Sequence, residues 1–364
     1  MKIIISSYDS LKNPYYAGGG AVAIHEVAKR LAADFEVMVI TGKYSGSKDE
    51  VIDDVRYKRV GIPFFGPKIG QLAYQVCLPF SVMAEKYDVW MESFTPPFST
   101  DCLQFFTKKP VIGLAHMLSG EDMKRKYKLP FDLIENIGLA KYKHFIVLTE
   151  TAKEKVLQRN PLANIAVIPN GIDKPKSMRK IEARKYILFL GRIEMNQKGL
   201  DLLLKAYKMI HKALGYKLVI AGAGEAQEMS KLKNLVKHLK LESNIDIVGR
   251  VEHSAIDKLY QGSLLFLLPS RYETYPMVAL EALSYGLPIV CFDIPGLKWL
   301  PQNCRLKIKP FDIKALGKAI LTILKDTTFR KKAEITGKKF VKKMDWDNVA
   351  LKYRNYIQRV LKIN

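Results

Sequence analysis

The chain has 364 residues, 48% of them hydrophobic, and a formal net charge of +23, so it is long enough for two domains with separate cores. No run approaches the roughly 20 apolar residues that span a bilayer, since the best candidate, Leu72 to Ala84, is interrupted by Gln75, Pro79 and Ser81. Cys77, Cys102, Cys291 and Cys304 lack paired spacing and fit a reducing compartment, and the histidines show no metal-ligand spacing.

Met1-Lys-Ile-Ile-Ile-Ser-Ser-Tyr reads as a first strand over Lys2 to Ser6, because it lacks the length and cleavage site of a secretory signal. A cytoplasmic protein is expected. Gly18-Gly19-Gly20 follow and open a helix over Ala21 to Ala33, where backbone amides can approach a phosphate or sugar; a flexible turn explains such a run equally well. Further strands are expected over Glu36 to Ile40, Tyr87 to Met91, Pro110 to Ala115 and His144 to Leu148. His116 sits at the end of the fourth of these five strands, where a doubly wound domain places ligands, although packing is the commoner fate of a lone histidine. Lys124-Arg125-Lys126-Tyr127-Lys128-Leu-Pro-Phe131 mixes basic and apolar residues, as an exposed loop or, less commonly, a contact for an anionic ligand would.

The turn-rich stretch Asn170-Gly171-Ile-Asp173-Lys-Pro-Lys marks a linker. A second series of apolar runs follows: Tyr186 to Leu190, Lys217 to Ala221, Ile245 to Val248, Leu264 to Leu268 and Pro288 to Phe292. Strands alternating with helical stretches predict two doubly wound α/β domains. Arg192 follows the first strand of this series and Lys198 precedes the next helix, so both cations reach one sheet edge, either to neutralise a diphosphate or as solvated loop charges. Gly222-Ala-Gly224-Glu-Ala-Gln227 falls one glycine short of a dinucleotide fingerprint, and a turn with close packing is the favoured reading.

The stretch from Leu264 to Val290 is the most informative. Leu264 to Leu268 form a buried strand, Pro269-Ser270 end it, and Pro276 suits the first position of a helix that carries Glu281, with Glu273 in the loop before it. Free amides at a helix start favour an anion, while carboxylates accept hydrogen bonds from hydroxyls. That combination suits a ligand with both phosphates and sugars. Paired carboxylates also serve glycosidases, but the nearby cations argue for phosphate.

Glu273-x7-Glu281, followed by Ala282, Gly286 and Pro288, resembles the signature of glycosyltransferase family 4, retaining nucleotide-sugar enzymes of the GT-B fold. Val167-Ile-Pro-Asn170-Gly171-Ile-Asp173, Gly191-Arg192-Ile-Glu-Met-Asn-Gln-Lys198-Gly199 and Val219-Ile-Ala-Gly222-Ala-Gly224-Glu225 support the resemblance in order and spacing. Pro276 departs from the family's usual glycine and removes one backbone donor. The resemblance implies a Rossmann-like acceptor-binding domain over 1–172, a Rossmann-like donor-binding domain over 173–344, and a terminal helix over 345–364 that returns to the first domain. It implies a site in the cleft between the domains.

It also implies roles. Arg192 and Lys198 would hold the donor phosphates, Gly19 and Gly20 would border them, and His116 would approach the sugar near the reacting carbon. Glu273 would contact the donor sugar, Glu281 the ribose hydroxyls, Met277 and Val278 would offer amides, and the backbone of Val251 would meet the base. The expected reaction moves a hexose-type sugar from a nucleoside diphosphate, UDP or GDP, to a glycan or lipid-linked acceptor hydroxyl, with no cofactor and no metal, in polysaccharide or glycolipid assembly.

The positive charge concentrates in the C-terminal half, with clusters at Arg330-Lys-Lys332, Lys338-Lys339 and Lys342-Lys343. A solvated basic face is the favoured explanation and an anionic membrane surface the alternative; nucleic acid fits less well than either, because aromatic interleaving and recognised nucleic-acid modules are lacking. Contact with the inner face of the membrane is therefore an expectation of its own. Asp345-Trp346-Asp347 precedes a terminal helix, which favours helix capping over a metal-binding role. Two competing classes are a nicotinamide-dependent oxidoreductase, which needs an intact glycine fingerprint, and a non-catalytic basic protein that binds membrane or nucleic acid.

Overall fold

The computed structural model describes residues 1–15, 18–96, 98–118, 120–173, 184–251 and 253–363. The chain divides into two units, Met1–Gly171 with Trp346–Asn364, and Ile172–Asp345.

In chain order the first unit contains β1 (Lys2–Ser6), α1 (Gly19–Leu31), β2 (Glu36–Gly42), β3 (Glu50–Ile52), β4 (Val55–Val60), α2 (Gly66–Ala84) and β5 (Val89–Ser93). It continues through β6 (Val111–Ala115), α3 (Gly120–Tyr127), α4 (Phe131–Lys141), β7 (His144–Val147), α5 (Glu150–Arg159) and β8 (Asn164–Val167). Its sheet runs β3-β4-β2-β1-β5-β6-β7-β8, parallel except for the antiparallel β3–β4 pair. The order reverses direction at β1, so α1 covers one face of the sheet while α2, α4 and α5 share the other, where Tyr74, Leu78, Leu139 and Val156 lie in one core cluster, the arrangement of a doubly wound sheet. Ile3, Ile4 and Ile5 are fully buried, as a strand covered on both faces requires.

The second unit contains β9 (Tyr186–Leu190), α6 (Leu200–Leu214), β10 (Lys217–Ala221), α7 (Ala226–His238), β11 (Ile245–Gly249), α8 (His253–Gln261) and β12 (Ser263–Leu268). Then come α9 (Met277–Ser284), β13 (Ile289–Phe292), β14 (Arg305–Ile308), α10 (Ile313–Lys325) and α11 (Thr327–Val341), before α12 (Trp346–Ile363) rejoins the first unit. The sheet order is β11-β10-β9-β12-β13-β14 with every pair parallel. Helix α6 shows why the sequence folds this way: Leu200, Leu203, Leu204, Tyr207, Ile210 and Leu214 recur at helical spacing and are buried. Asp312 caps α10 by accepting from the Ala315 amide at 2.9 Å.

Several expectations need adjustment. The fifth strand begins at Val89, two residues later than Tyr87, and α1 begins at Gly19, so Gly19 and Gly20 are already helical. Lys124 to Tyr127 lie in helix α3 and not in a loop. Strands β3, β4, β8 and β14 were not expected; three sit at sheet edges, and β4, Val-Arg-Tyr-Lys-Arg-Val, alternates charge with apolar residues. Of the expected linker, residues 174–176 lie outside the described residues. Asp347 pairs with Arg30 of α1, its Oδ1 2.6 Å from Nε. Among the described residues no helix is long and apolar enough to cross a membrane.

Candidate donor site

Strands β9 and β12 are parallel neighbours, so their carboxyl ends open on one edge of the second sheet. Lys198 comes from the loop after β9 and Glu273 from the loop after β12. The lysine Nζ lies 2.6 Å from Glu273 Oε1, and Ser270 Oγ donates to the same oxygen at 2.7 Å. Both charged side chains are largely shielded, Lys198 to 15% exposure and Glu273 to 7%. Shielding strengthens their attraction and leaves one carboxylate oxygen available for another donor.

Two glycines permit this approach. Gly199, which precedes α6, has φ +62°, and a Cβ there would sit 2.0 Å from the Pro269 carbonyl oxygen. A Cβ on Gly296 would sit 1.7 Å from the Glu273 carbonyl oxygen. The two loops are also bolted together by Arg271, which forks Asp201 through two bonds of 2.8 Å and donates to the Asn196 carbonyl at 2.6 Å. The Arg271 amide donates to the Gln197 carbonyl at 2.8 Å.

Helix α9 starts at Met277, with Pro276 as its N-cap and not its first helical residue. Met277 and Val278 are half-buried, and amides at these first positions have no intrahelical acceptor. One turn further on, Glu281 Oε2 accepts from the Tyr260 hydroxyl at 2.7 Å. Tyr260 stacks on Tyr285 with centroids 5.2 Å apart, and the Tyr285 hydroxyl donates to Asp257 Oδ1 at 2.5 Å. Burial raises the Glu281 pKa; the Tyr260 hydrogen bond opposes this and the charge of Asp257 adds to it.

Arg192 is exposed and bonded within its own loop, to Gln197 Oε1 at 2.6 Å and Glu194 Oε2 at 2.9 Å. Val251 lies on the half-buried loop after β11. Thus Lys198 and Glu273 touch, while Arg192 and Glu281 are engaged with other partners. Gly222 and Gly224 serve close packing: a Cβ on either would sit 1.8 Å from the Gly191 oxygen or 2.2 Å from the Ile193 oxygen. Ser270, Arg271, Tyr260 and Gly296 were given no role on sequence grounds. Arg271 lies two residues before Glu273 in the chain, but its partner Asp201 lies 70 residues away.

In the first unit His116 follows β6, and its Nε2 lies 3.2 Å from the Tyr353 hydroxyl of α12. Burial pushes its pKa down to about 4, so the ring is neutral at pH 7. Gly20 faces Asp9, whose Oδ2 would lie 3.3 Å from an added Cβ and whose carboxyl is pushed up to about 6 by burial. A cavity of about 760 Å³ is lined by Lys124, Arg125, Lys128, Leu129 and Pro130, with Glu121 and Asp132 among them.

The family model "Glycosyltransferase Family 4" matches residues 17–175, and "Glycosyl transferases group 1" matches residues 172–340. The chain is a glycosyltransferase of the family-4 type. An uncharacterised glycosyltransferase of Methanocaldococcus jannaschii is 27% identical over 377 residues, 93% of each chain. The glycosyltransferase folds as GT-B: sucrose-phosphate synthase from Thermosynechococcus elongatus superposes with a TM-score of 0.81 over 100% of both chains at 20% identity. Anabaena HepE, solved in complex with UDP-glucose, superposes with a TM-score of 0.77 over 99% of this chain and 100% of its own, at 16% identity.

Proposed function

We propose that this glycosyltransferase moves a hexose from a nucleoside diphosphate sugar, UDP or GDP, to an acceptor hydroxyl with retention of anomeric configuration. The observation that carries this reading is the shielded Lys198–Glu273 pair beside the start of α9. Lys198 supplies a cation for the departing phosphate, and the amides of Met277 and Val278 add donors. Glu273 accepts from a sugar hydroxyl through its second oxygen, and Glu281 accepts from the ribose hydroxyls. Arg192 reaches the diphosphate by exchanging its bonds to Gln197 and Glu194 for phosphate oxygens, and the backbone of Val251 receives the base. Gly19 and Gly20 border the phosphates, with His116, a neutral imidazole, near the reacting carbon.

In this reading the bond from the anomeric carbon to the phosphate oxygen breaks as the acceptor oxygen attacks from the same face, and its proton passes to the departing phosphate. No cofactor and no metal ion take part. A glycan or lipid-linked acceptor, a role in polysaccharide or glycolipid assembly, and a cytoplasmic enzyme in peripheral contact with the membrane complete the proposal. The solved HepE complex with UDP-glucose supports the donor class. A thermal-shift panel of UDP-, GDP- and ADP-sugars, with product NMR in the presence of a chelator, tests it. Failure of every donor to shift the melting curve, or an inverted anomer in the product, rules the proposal out.

A further inference from the structure

Helix α2 is apolar on both sides, yet among the described residues only its inner side packs within its unit. Tyr74, Leu78 and Val82 pack into the core of the first unit, with the Tyr74 hydroxyl donating to the Ile40 carbonyl at 3.2 Å. The opposite side carries Phe65, Ile69, Leu72, Val76, Phe80 and Met83, spaced by three or four residues so that they form one stripe down the helix. All six are exposed, Phe65 to 74%, Phe80 to 66% and Val76 to 60%. Exposed apolar residues are ordinary when scattered, but a continuous stripe marks a surface meant to be covered.

The charges around the stripe indicate what covers it. The helix itself holds no acidic residue. Exposed lysines stand at both ends, Lys68 on its first turn and Lys86 just past its last. The short helical turn Leu103–Phe105 packs against α2 and adds exposed Phe105 and Phe106, followed by exposed Lys108 and Lys109. The nearby Glu85 is neutralised by Lys58 at 2.6 Å. Apolar side chains flanked by lysines match the two layers of a bilayer surface, acyl chains below and anionic headgroups above. A second copy of a chain with net charge +23 brings like charge instead.

We infer that the outer stripe of α2, with Phe105 and Phe106, adsorbs to an anionic lipid bilayer. This names the surface for the peripheral contact proposed above and places it in the first unit, whereas the basic clusters at 330–332, 338–339 and 342–343 belong to the second. Adsorption is independent of the transfer chemistry.

The test is sedimentation of the protein with vesicles of equal parts phosphatidylcholine and phosphatidylglycerol. The wild type is expected to pellet with them and to be released by salt, and to pellet less with phosphatidylcholine alone. The double substitution Val76→Glu/Phe80→Glu is expected to lower partitioning by about tenfold or more, whereas Ile335→Glu, an exposed residue of α11, leaves it unchanged. Should Val76→Glu/Phe80→Glu unfold, Lys68→Glu/Lys86→Glu leaves the stripe intact and is expected to weaken binding several-fold. Undiminished partitioning of folded variants overturns the inference. So does a dimer found without vesicles and dissociated by Val76→Glu/Phe80→Glu, which assigns the face to a second copy. Transfer to a soluble acceptor should proceed at the wild-type rate in the same variants, so failure of membrane binding and failure of the transfer reading are read separately.

Discussion

Lys198 and Glu273 stand 75 residues apart in the chain and meet at 2.6 Å in a largely water-excluded corner at the carboxyl ends of β9 and β12. Neither charge is stable there alone. Removing the lysine strands a carboxylate held by Ser270, and removing the carboxylate strands an ammonium, so each side chain keeps the other in place for a ligand.

Lys198→Ala is expected to cut turnover by about one to three orders of magnitude, the range for losing a donor to developing negative charge. Steady-state kinetics with whichever nucleotide sugar the thermal-shift panel selects checks this. Wild-type kcat in the variant would remove Lys198 from the chemistry.

The two glycines make separable predictions about stability. Gly199→Ala must accommodate both φ +62° and a Cβ 2.0 Å from the Pro269 oxygen, whereas Gly215 at φ +71° has open space around it. Gly215→Ala should cost only about 1 kcal/mol from its backbone conformation, and Gly199→Ala clearly more, because backbone must shift. Urea denaturation of the two variants, compared directly, measures the difference. Equal losses would show that the approach of the loops is not needed.

Tyr260 donates to Glu281 and so favours its ionised form against the effect of burial. If Glu281 receives ribose hydroxyls as an anion, donor affinity should fall as pH drops through its raised pKa. Tyr260→Phe removes a bond that lowers that pKa, so the fall should begin at higher pH than in the wild type. Donor titrations by calorimetry across pH, in both proteins, would expose an unchanged midpoint if the bond is immaterial.

His116 has a folded-state pKa of about 4, below its ordinary value, so the unfolded chain binds the extra proton first on acidification. Stability should therefore decline as pH falls from about 6.5 towards about 4 and level off below, and His116→Gln should flatten that decline. NMR of the ring protons offers an independent reading, since they should not titrate between pH 8 and 5.

The parts legible in the sequence were those whose signal is local. Leu264 to Leu268 and Tyr186 to Leu190 announce buried parallel strands because covering on both faces demands unbroken apolar runs. The two family models matched to residues 17–340 agree with the resemblance carried by the Glu273-x7-Glu281 stretch. Edge strands escaped notice because one open side lets charge into the pattern, as in Arg305 and Lys307 of β14. The pairing of Arg271 with Asp201 of α6, and of Glu281 in α9 with Tyr260 in α8, depends on segments distant in the chain being brought together by the fold, which no spacing along the chain encodes. The stripe on α2 was visible only as an interrupted apolar run until its inner side found a core and its outer side did not.

Helix α12 belongs to the first unit although it follows the second in the chain. Its Tyr356 hydroxyl donates to the Asn164 carbonyl at 2.6 Å, and Trp346 packs so closely on Gly171 that a Cβ there would come within 2.7 Å. Residues 1–171 and then the entire second unit are therefore synthesised before α12 of the first unit becomes available. The early half must wait unfinished through that interval, exposing the seat of Tyr353 and Tyr356 to chaperones, and a premature stop codon near residue 345 would damage the half of the protein translated first.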